Sequence, residues 1–363
     1  MNHKLQRANC IYNGSKTLVM KLQYADSVGP MAATLRDVAL LAGVSPKTAS
    51  NVINDRPHVK ASTRAKVEAA IQELRYRPNL TARQLKYGRS GFLNLAIPQI
   101  DWPYFAELAA RLTDAATESG YVLLLDVTRA EHEAEAALMA GVQPSKVDGL
   151  IFSPLALTAE EISARSDTTP MVLLGERAIP SDHDHVSVDS VSAARAMTEH
   201  LIDLGRERIA VIGYMSSDGT GSVRMAGYHA ALAAAGRPRR PEYEMGVSNY
   251  LRVEGKCAMQ RLLALPEPPD AVFCFNDLMA VGALQACREA GVRVPQDIAV
   301  AGFDNIAETR FTSPTLTTVA PDLEALTRES LRLLLGRING TRTEAEDVQV
   351  PWQIVVREST TGG

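Results

Sequence analysis

Two groups of polar residues carry the chemistry that can be read from this sequence. The first is compact: Ser45, Pro46, Lys47, Thr48, Ser50 and Asn51 follow Gly43-Val44, and Asn54 lies just beyond. A lysine such as Lys47 can donate to guanine O6 or N7, or to a phosphate. Thr34, Ser45, Thr48, Ser50 and Asn54 have short polar side chains suited to phosphates, contacts that fix register rather than sequence. The second group is scattered. Tyr104 and Phe105 follow an apolar stretch at 92–98, Asn276 and Asp277 follow one at 271–275, and Asp304 follows one at 297–302, while Arg224 opens an amphipathic segment. Carboxylates, an amide, an arginine and aromatic rings suit a hydroxyl-rich ligand, and Arg224 would equally suit a carboxylate or phosphate.

The elements that must hold the first group are short helices. Leu35, Val38 and Ala39 recur at helical spacing, and Gly43 ends the run. Ser45 is a good N-cap and Pro46 suits the first helical position, so a second helix carries Thr48, Ala49, Val52 and Ile53. A third starts near Ser62, with Val67, Ala70, Ile71 and Leu74 on one face. Two short helices joined by a tight turn, with a third in support, describe a helix-turn-helix. Pro78 breaks the third helix. Asn79 can cap about two further turns over 79–86, and Gly88-Arg89-Ser90-Gly91 reads as a joint.

From Phe92 the pattern changes. Apolar strand candidates at 92–98, 121–126, 148–153, 170–174, 208–213, 271–275 and 297–302 are separated by amphipathic helices at 104–119, 190–204, 222–235, 251–264, 276–290 and 321–336. This alternation predicts parallel sheets covered on both faces. There are too many units for one small sheet, so two similar lobes are expected, with a ligand cleft at the carboxyl ends of the strands.

Charge sorts the same way. The 363 residues carry a net charge of −4, but residues 31–90 hold eleven Lys/Arg against four Asp/Glu, a balance of +7. Residues 1–30 add +3, which leaves −14 on the rest. A basic head on an acidic body is expected when only one end meets phosphate. No apolar run is long enough for a membrane span, and the first thirty residues lack the pattern of a signal peptide. Cytoplasm is therefore expected. The four cysteines show no CxxC spacing, which fits free thiols in a reducing compartment.

From Thr34 to about Ser359 the sequence resembles the LacI/GalR family of bacterial transcription regulators. The likeness is densest in TLRDVALLAGVSPKTASNVIN (34–54) and RAKVEAAIQELRYRPNLTARQLKYGRS (64–90). It continues at DWPYFAELA (101–109), VDGLIFSPL (147–155), HLIDLGRERIAVIG (200–213), RMAGYHAAL (224–232), FCFNDLMAVGAL (273–284), DIAVAGFDN (297–305) and SPTLTTV (313–319).

The resemblance implies a homodimeric repressor of a catabolic or transport operon that binds a pseudo-palindromic operator, with a sugar-like effector altering operator affinity. It implies an all-α helix-turn-helix head joined to two Rossmann-like, periplasmic-binding-protein-like subdomains. The implied layout is an extension at 1–30, expected to be disordered, a DNA-binding domain at 31–77 and a hinge with linker at 78–90. One core subdomain then takes 91–190 plus 318–345 and the other 191–317 plus 346–359. Pro46 and Lys47 fall at the base-reading start of the recognition helix. Asn51 falls where many members carry Arg, a departure that favours adenine over guanine. His58 falls at a DNA-contacting position. Leu85 matches a residue that wedges into the minor groove, Ala82 is small enough for close approach, and Asn79 begins that hinge helix. Tyr250 matches an aromatic flanking the ligand, and Arg224 a ligand-contacting arginine.

Other signals are weaker. Ser181-Asp182-His183-Asp184-His185 looks metal-like but lacks an identifiable third partner, so no metal is expected. Asp218-Gly219-Thr220-Gly221-Ser222 lacks GxGxxG spacing and a Walker lysine, and no GxSxG elbow is present. Neither a cofactor nor an enzymatic activity is expected. A solute-binding protein and a sugar-processing α/β enzyme are the competing classes.

Overall fold

The computed structural model describes residues 33–53, 59–74, 76, 89–141, 146–176, 180, 182–214 and 219–362. Contacts divide the chain into two units, Met1–Asn79 and Leu80–Gly363.

In the first unit, α1 (Leu35–Leu41), α2 (Pro46–Ile53) and α3 (Ala61–Glu73) close around Val38, Ala39, Ala49, Val52, Val67 and Ala70. Thr34 caps α1 in a reciprocal box: its hydroxyl accepts from Asp37 N at 3.3 Å, and the Asp37 carboxylate accepts from Thr34 N at 2.7 Å. The turn between α1 and α2 needs Gly43, whose φ of +65° is one that L side chains rarely adopt. Ser45 Oγ then accepts from Thr48 N at 3.1 Å, capping α2 as its sequence predicts.

The second unit holds two six-stranded sheets. Along the chain come β1 (Phe92–Ile97), α4 (Pro103–Glu118), β2 (Val122–Val127), α5 (His132–Met139), β3 (Gly149–Phe152), α6 (Ala159–Ser163), β4 (Met171–Leu174) and β5 (Asp184–Val188). There follow α7 (Ser190–Asp203), β6 (Ile209–Tyr214), α8 (Thr220–Ala234), β7 (Glu244–Gly246), α9 (Arg252–Leu263), β8 (Ala271–Cys274), α10 (Asp277–Glu289), β9 (Ala299–Phe303) and β10 (Thr317–Pro321). The chain ends with α11 (Leu323–Ile338), β11 (Asp347–Val350), β12 (Trp352–Val355) and α12 (Glu358–Thr361).

One sheet runs β11-β5-β4-β3-β1-β2, wholly parallel; the other runs β12-β10-β9-β8-β6-β7, parallel except for β12 against β10. Fully buried apolar strands such as β3 and β8 explain the continuous hydrophobic runs in the sequence. Helices α9 and α10 touch through paired glycines: a Cβ on Gly255 would meet Met279 O at 2.2 Å, and one on Gly282 would meet Arg252 O at 1.9 Å. Any larger residue would push the two helices apart.

The strand pairing corrects the sequence-based boundaries between the lobes. Residues 318–321, expected in the first lobe, belong to β10, which pairs with β9 in the second sheet. Residues 347–350, expected in the second lobe, form β11 beside β5 in the first. The crossings therefore follow Pro321 and Val350. Both are short segments whose composition does not change at the crossing, and only the hydrogen-bond ladder assigns them.

Strand β5 also contains part of the metal-like cluster. Asp184 Oδ2 accepts from Arg337 Nε at 2.6 Å and Asp184 Oδ1 from Glu346 N at 2.9 Å. His185 lies 2.8 Å from Gly175 O and 2.9 Å from Asp347. These groups serve to tie β5 to α11, β11 and the β4 end. Among the described residues no helix is long and apolar enough to cross a membrane.

Candidate functional site

In both sheets the carboxyl ends of the strands turn toward one cleft, as the topology of doubly wound sheets requires. From the first lobe, Trp102, Tyr104 and Phe105 follow β1, Ser153 follows β3, and Glu176 follows β4. From the second come Arg224 and Thr220 of α8, Tyr250, Asn276 after β8 and Asp304 after β9. The cavity they enclose measures about 120 Å³. One water needs only about 10–15 Å³ on this measure, so there is room for a small organic molecule.

The polar end of the cleft centres on Arg224. Its Nη2 donates to Glu176 Oε1 at 2.7 Å, its Nη1 donates to Phe275 O, and its guanidinium lies 3.5 Å over the Phe303 ring. The Arg224 and Glu176 side chains are only 7% and 9% exposed. Burial alone would weaken the arginine as a base, but Glu176 and Asp304 outweigh it and hold the charge on. Asp304 is raised to about 7: burial pushes it up, Arg224 pulls it part of the way back and Glu176 adds to the rise. Burial likewise pushes the Tyr250 phenol up to about 12, and that of Tyr104 upward as well, so both rings face the cleft as neutral phenols.

The aromatic wall spans both lobes. Trp102 packs on Phe105 with ring centroids 6.0 Å apart and meets Tyr250 edge-on at 6.4 Å. Tyr104 and Phe105 are T-shaped at 5.2 Å. Asn276 caps α10 through Met279 N and donates to Tyr250 O at 3.1 Å, so it positions the aromatic as well as lining the cleft.

Asp304 stands on an unusual backbone, with φ of 117° at Asp304 and 57° at Asn305. Non-glycine residues persist there only where their surroundings over-determine them. Here Asp304 N donates to Val319 O at 2.9 Å, Arg357 donates to Asn305 Oδ1 at 2.7 Å, and Ile306 N donates to Asp277 at 3.0 Å. That last bond corrects an expectation. Asp277 does not line the cleft: it is fully buried, its carboxylate held by Thr318 Oγ1 at 2.6 Å and by Ile306 N. Its role is to support the Asp304 loop from beneath.

In the helical head, Ala49 and Val52 face inward, which leaves Lys47 exposed on α2 with Thr48, Ser50 and Asn51 partly exposed. Thr34, Ser45 and Pro46 are exposed at the starts of α1 and α2.

Residues 34–79 match the model for bacterial regulatory proteins of the lacI family, and residues 198–360 match the periplasmic binding protein-like domain. The HTH-type transcriptional repressor PurR of Pectobacterium carotovorum is 34% identical over 334 residues, covering 91% of this chain and 98% of its own. The chain belongs to the LacI family. Among solved structures, the lac repressor dimer bound to operator and the anti-inducer ONPF is 29% identical, with a TM-score of 0.78 over 90% of this chain and 99% of that one. The transcriptional regulator CelR in complex with cellobiose is 31% identical, with a TM-score of 0.67 over 90% and 99%.

This LacI-family chain is a DNA-binding transcriptional repressor rather than an enzyme, like the PurR protein it matches. Of the residues singled out in its sequence, the structure gathers Tyr104, Phe105, Arg224, Tyr250, Asn276 and Asp304 around the cleft and leaves out Asp277. Asn54, His58, Asn79, Ala82 and Leu85 lie outside the described residues. Sequence reasoning missed Trp102, Ser153 and Glu176. Glu176 follows apolar β4 just as Asp304 follows β9, so the signal that flagged one was available for the other.

Proposed function

We propose that this repressor works as a homodimer on a pseudo-palindromic operator, and that a sugar or sugar derivative held in the cleft changes its operator affinity. The observation that carries this reading is the cleft itself: an arginine, two carboxylates and six aromatic side chains converge there from both lobes. Hydroxyl-rich ligands need paired donors and acceptors beside an apolar wall. The matched CelR structure holds cellobiose, and the lac repressor structure is a dimer on operator.

Apolar surface supports the dimer. Phe311 is 85% and Val253 69% exposed, on adjacent segments joined by the Arg252–Glu308 ion pair at 2.6 Å. Val122, Leu125 and Val127 are exposed along edge strand β2. A second copy would cover both patches. In the head, Lys47 and Asn51 read base edges from α2. Thr34, Ser45, Thr48, Ser50 and Asn54 fix phosphates, with Pro46 setting the helix start and His58 adding a loop contact. Asn79, Ala82 and Leu85 form the minor-groove hinge. The regulated genes serve sugar uptake or catabolism, and the protein acts in the cytoplasm.

The test has two steps. Thermal-shift screening of sugars identifies ligands that raise the melting point. Fluorescence anisotropy then measures operator affinity with and without them. A ligand that stabilises the core yet leaves operator affinity unchanged would break the proposed link.

A further inference from the structure

Arg224 does not meet the cleft as a lone cation. Glu176, from the end of β4 in the first lobe, reaches across to Arg224 on α8 in the second. The same Glu176 oxygen, Oε1, also accepts from the buried hydroxyl of Ser190 at the start of α7. That leaves Glu176 Oε2 and Arg224 Nε, both buried and both without a partner among the described residues. Unpaired buried polar atoms are uncommon in native structures. Here one is an acceptor and one a donor, and they belong to the two halves of one ion pair at the cleft wall.

We infer that Glu176 is a specificity-determining residue that admits neutral polyhydroxyl ligands to this cleft and excludes their anionic counterparts. The inference rests on the reading of the cleft as a sugar site and adds the charge class. The physical argument is electrostatic. A free buried arginine would attract a carboxylate or phosphate strongly. With Glu176 already 2.7 Å from it, the pair is neutral, and an incoming anion must sit beside the Glu176 carboxylate. Like charges forced together away from water repel one another strongly. A neutral hydroxyl that meets the Arg224–Glu176 pair from the cleft carries no charge and so meets no such penalty.

The experiment uses the full-length protein, wild type and Glu176→Gln, in calorimetric titrations at constant ionic strength. The probes are neutral sugars, each paired with its uronic acid, and inorganic phosphate. Wild type is expected to bind at least one neutral sugar and none of the anions. Glu176→Gln keeps a hydrogen-bonding side chain but removes the negative charge, and should bind uronate or phosphate at least about tenfold more tightly than wild type. Wild type binding a uronate as tightly as its neutral partner overturns the inference, as does a Glu176→Gln protein that gains no anion affinity. If wild type binds no neutral sugar but the variant gains anions, the charge gate stands and the sugar reading falls. If sugars bind both proteins and anions neither, the reverse holds. Should Glu176→Gln fail to fold, Glu176→Ala takes its place, and the wild-type arm can overturn the inference unaided.

Discussion

In the head, the groups offered to a partner stand at the surface while the core beneath them is small: Lys47 is exposed, and the three helices close on a few valines and alanines. In the cleft the arrangement is inverted. Arg224 and Glu176 are nearly buried, paired with each other, and Arg224 is braced by Phe303. Exposed contacts with no shared partner act additively, whereas groups within one network do not. The head should therefore lose function in increments, one side chain at a time. The cleft should lose it as a unit, with effects on core stability and a pH response that follow from its buried carboxylates.

The largest expected effect lies under the cleft. Asp277→Ala strands Ile306 N, a buried group that costs about 1–3 kcal/mol when left unpaired, and leaves Thr318 Oγ1 only its longer bonds to Val319 O and Asn305 N. Core melting should fall by several degrees and ligand affinity should fall with it, because the Asp304 loop loses its support. Calorimetry resolving the core transition checks this. An unchanged core transition would contradict the supporting role.

Asp304→Asn comes next and separates chemistry from support. The raised Asp304 pKa means that between pH 4 and 7 the unfolded chain has released this proton while the folded chain retains it. Its ionisation thus costs stability as pH rises from about 4 to about 7 and levels off above. The variant should melt progressively higher than wild type across that window. Asp277 is pushed the same way by burial and by Asp304, so part of the slope persists in the variant and is itself reduced. Sugar affinity should drop roughly 10- to 100-fold for loss of a charged acceptor, while operator binding without ligand stays as in wild type. Equal loss of both activities would point to misfolding.

Lys47→Ala probes the opposite side of the comparison. Loss of one base or phosphate contact should weaken operator binding by about 1–3 kcal/mol, with ligand titrations and core melting unchanged. A salt series sharpens it: if Lys47 meets phosphate, the slope of log affinity against log salt falls by about one, and if it reads a base, discrimination between operators relaxes instead. A Lys47 variant with altered sugar affinity would show that the head and cleft are not independent in this sense.

The same contrast explains what the sequence could reveal. The head was legible because its signals are local: Ser45-Pro46 as cap and first turn, and Val38 with Ala39 on one helical face. In the core, residues directly after apolar strands were legible as cleft residues, which recovered Asn276 and Asp304. Asp277 was misplaced because neighbours at a helix start diverge: Asn276, as the cap, lines the cleft, and Asp277 turns into the core. Strands β5 and β10 were missed because buried polar residues such as Asp184, His185, Thr317 and Thr318 interrupt the apolar pattern. Their partners, among them Arg337 and Ser359, lie about 40 residues or more away in sequence and only the fold supplies them. Glu176 needed Arg224 beside it before it could be weighed as more than a loop carboxylate.

The smallest effect discriminates most finely. Thr34 was assigned to phosphate, yet its hydroxyl already serves α1, donating to Asp37 Oδ2 at 2.7 Å and accepting from Asp37 N at 3.3 Å. Thr34→Ala should therefore cost the head about 1 kcal/mol of stability through the lost cap, with no change in core melting. Thr34→Ser keeps the hydroxyl and should restore it. Because the side chain is neutral, neither variant should move the salt slope of operator binding, which reports released counterions. Operator affinity that falls in Thr34→Ala under conditions where the head is fully folded would assign the hydroxyl a phosphate contact in addition to the cap. An affinity that tracks head stability alone would make Thr34 a residue that positions α1 and leaves contact with DNA to its neighbours.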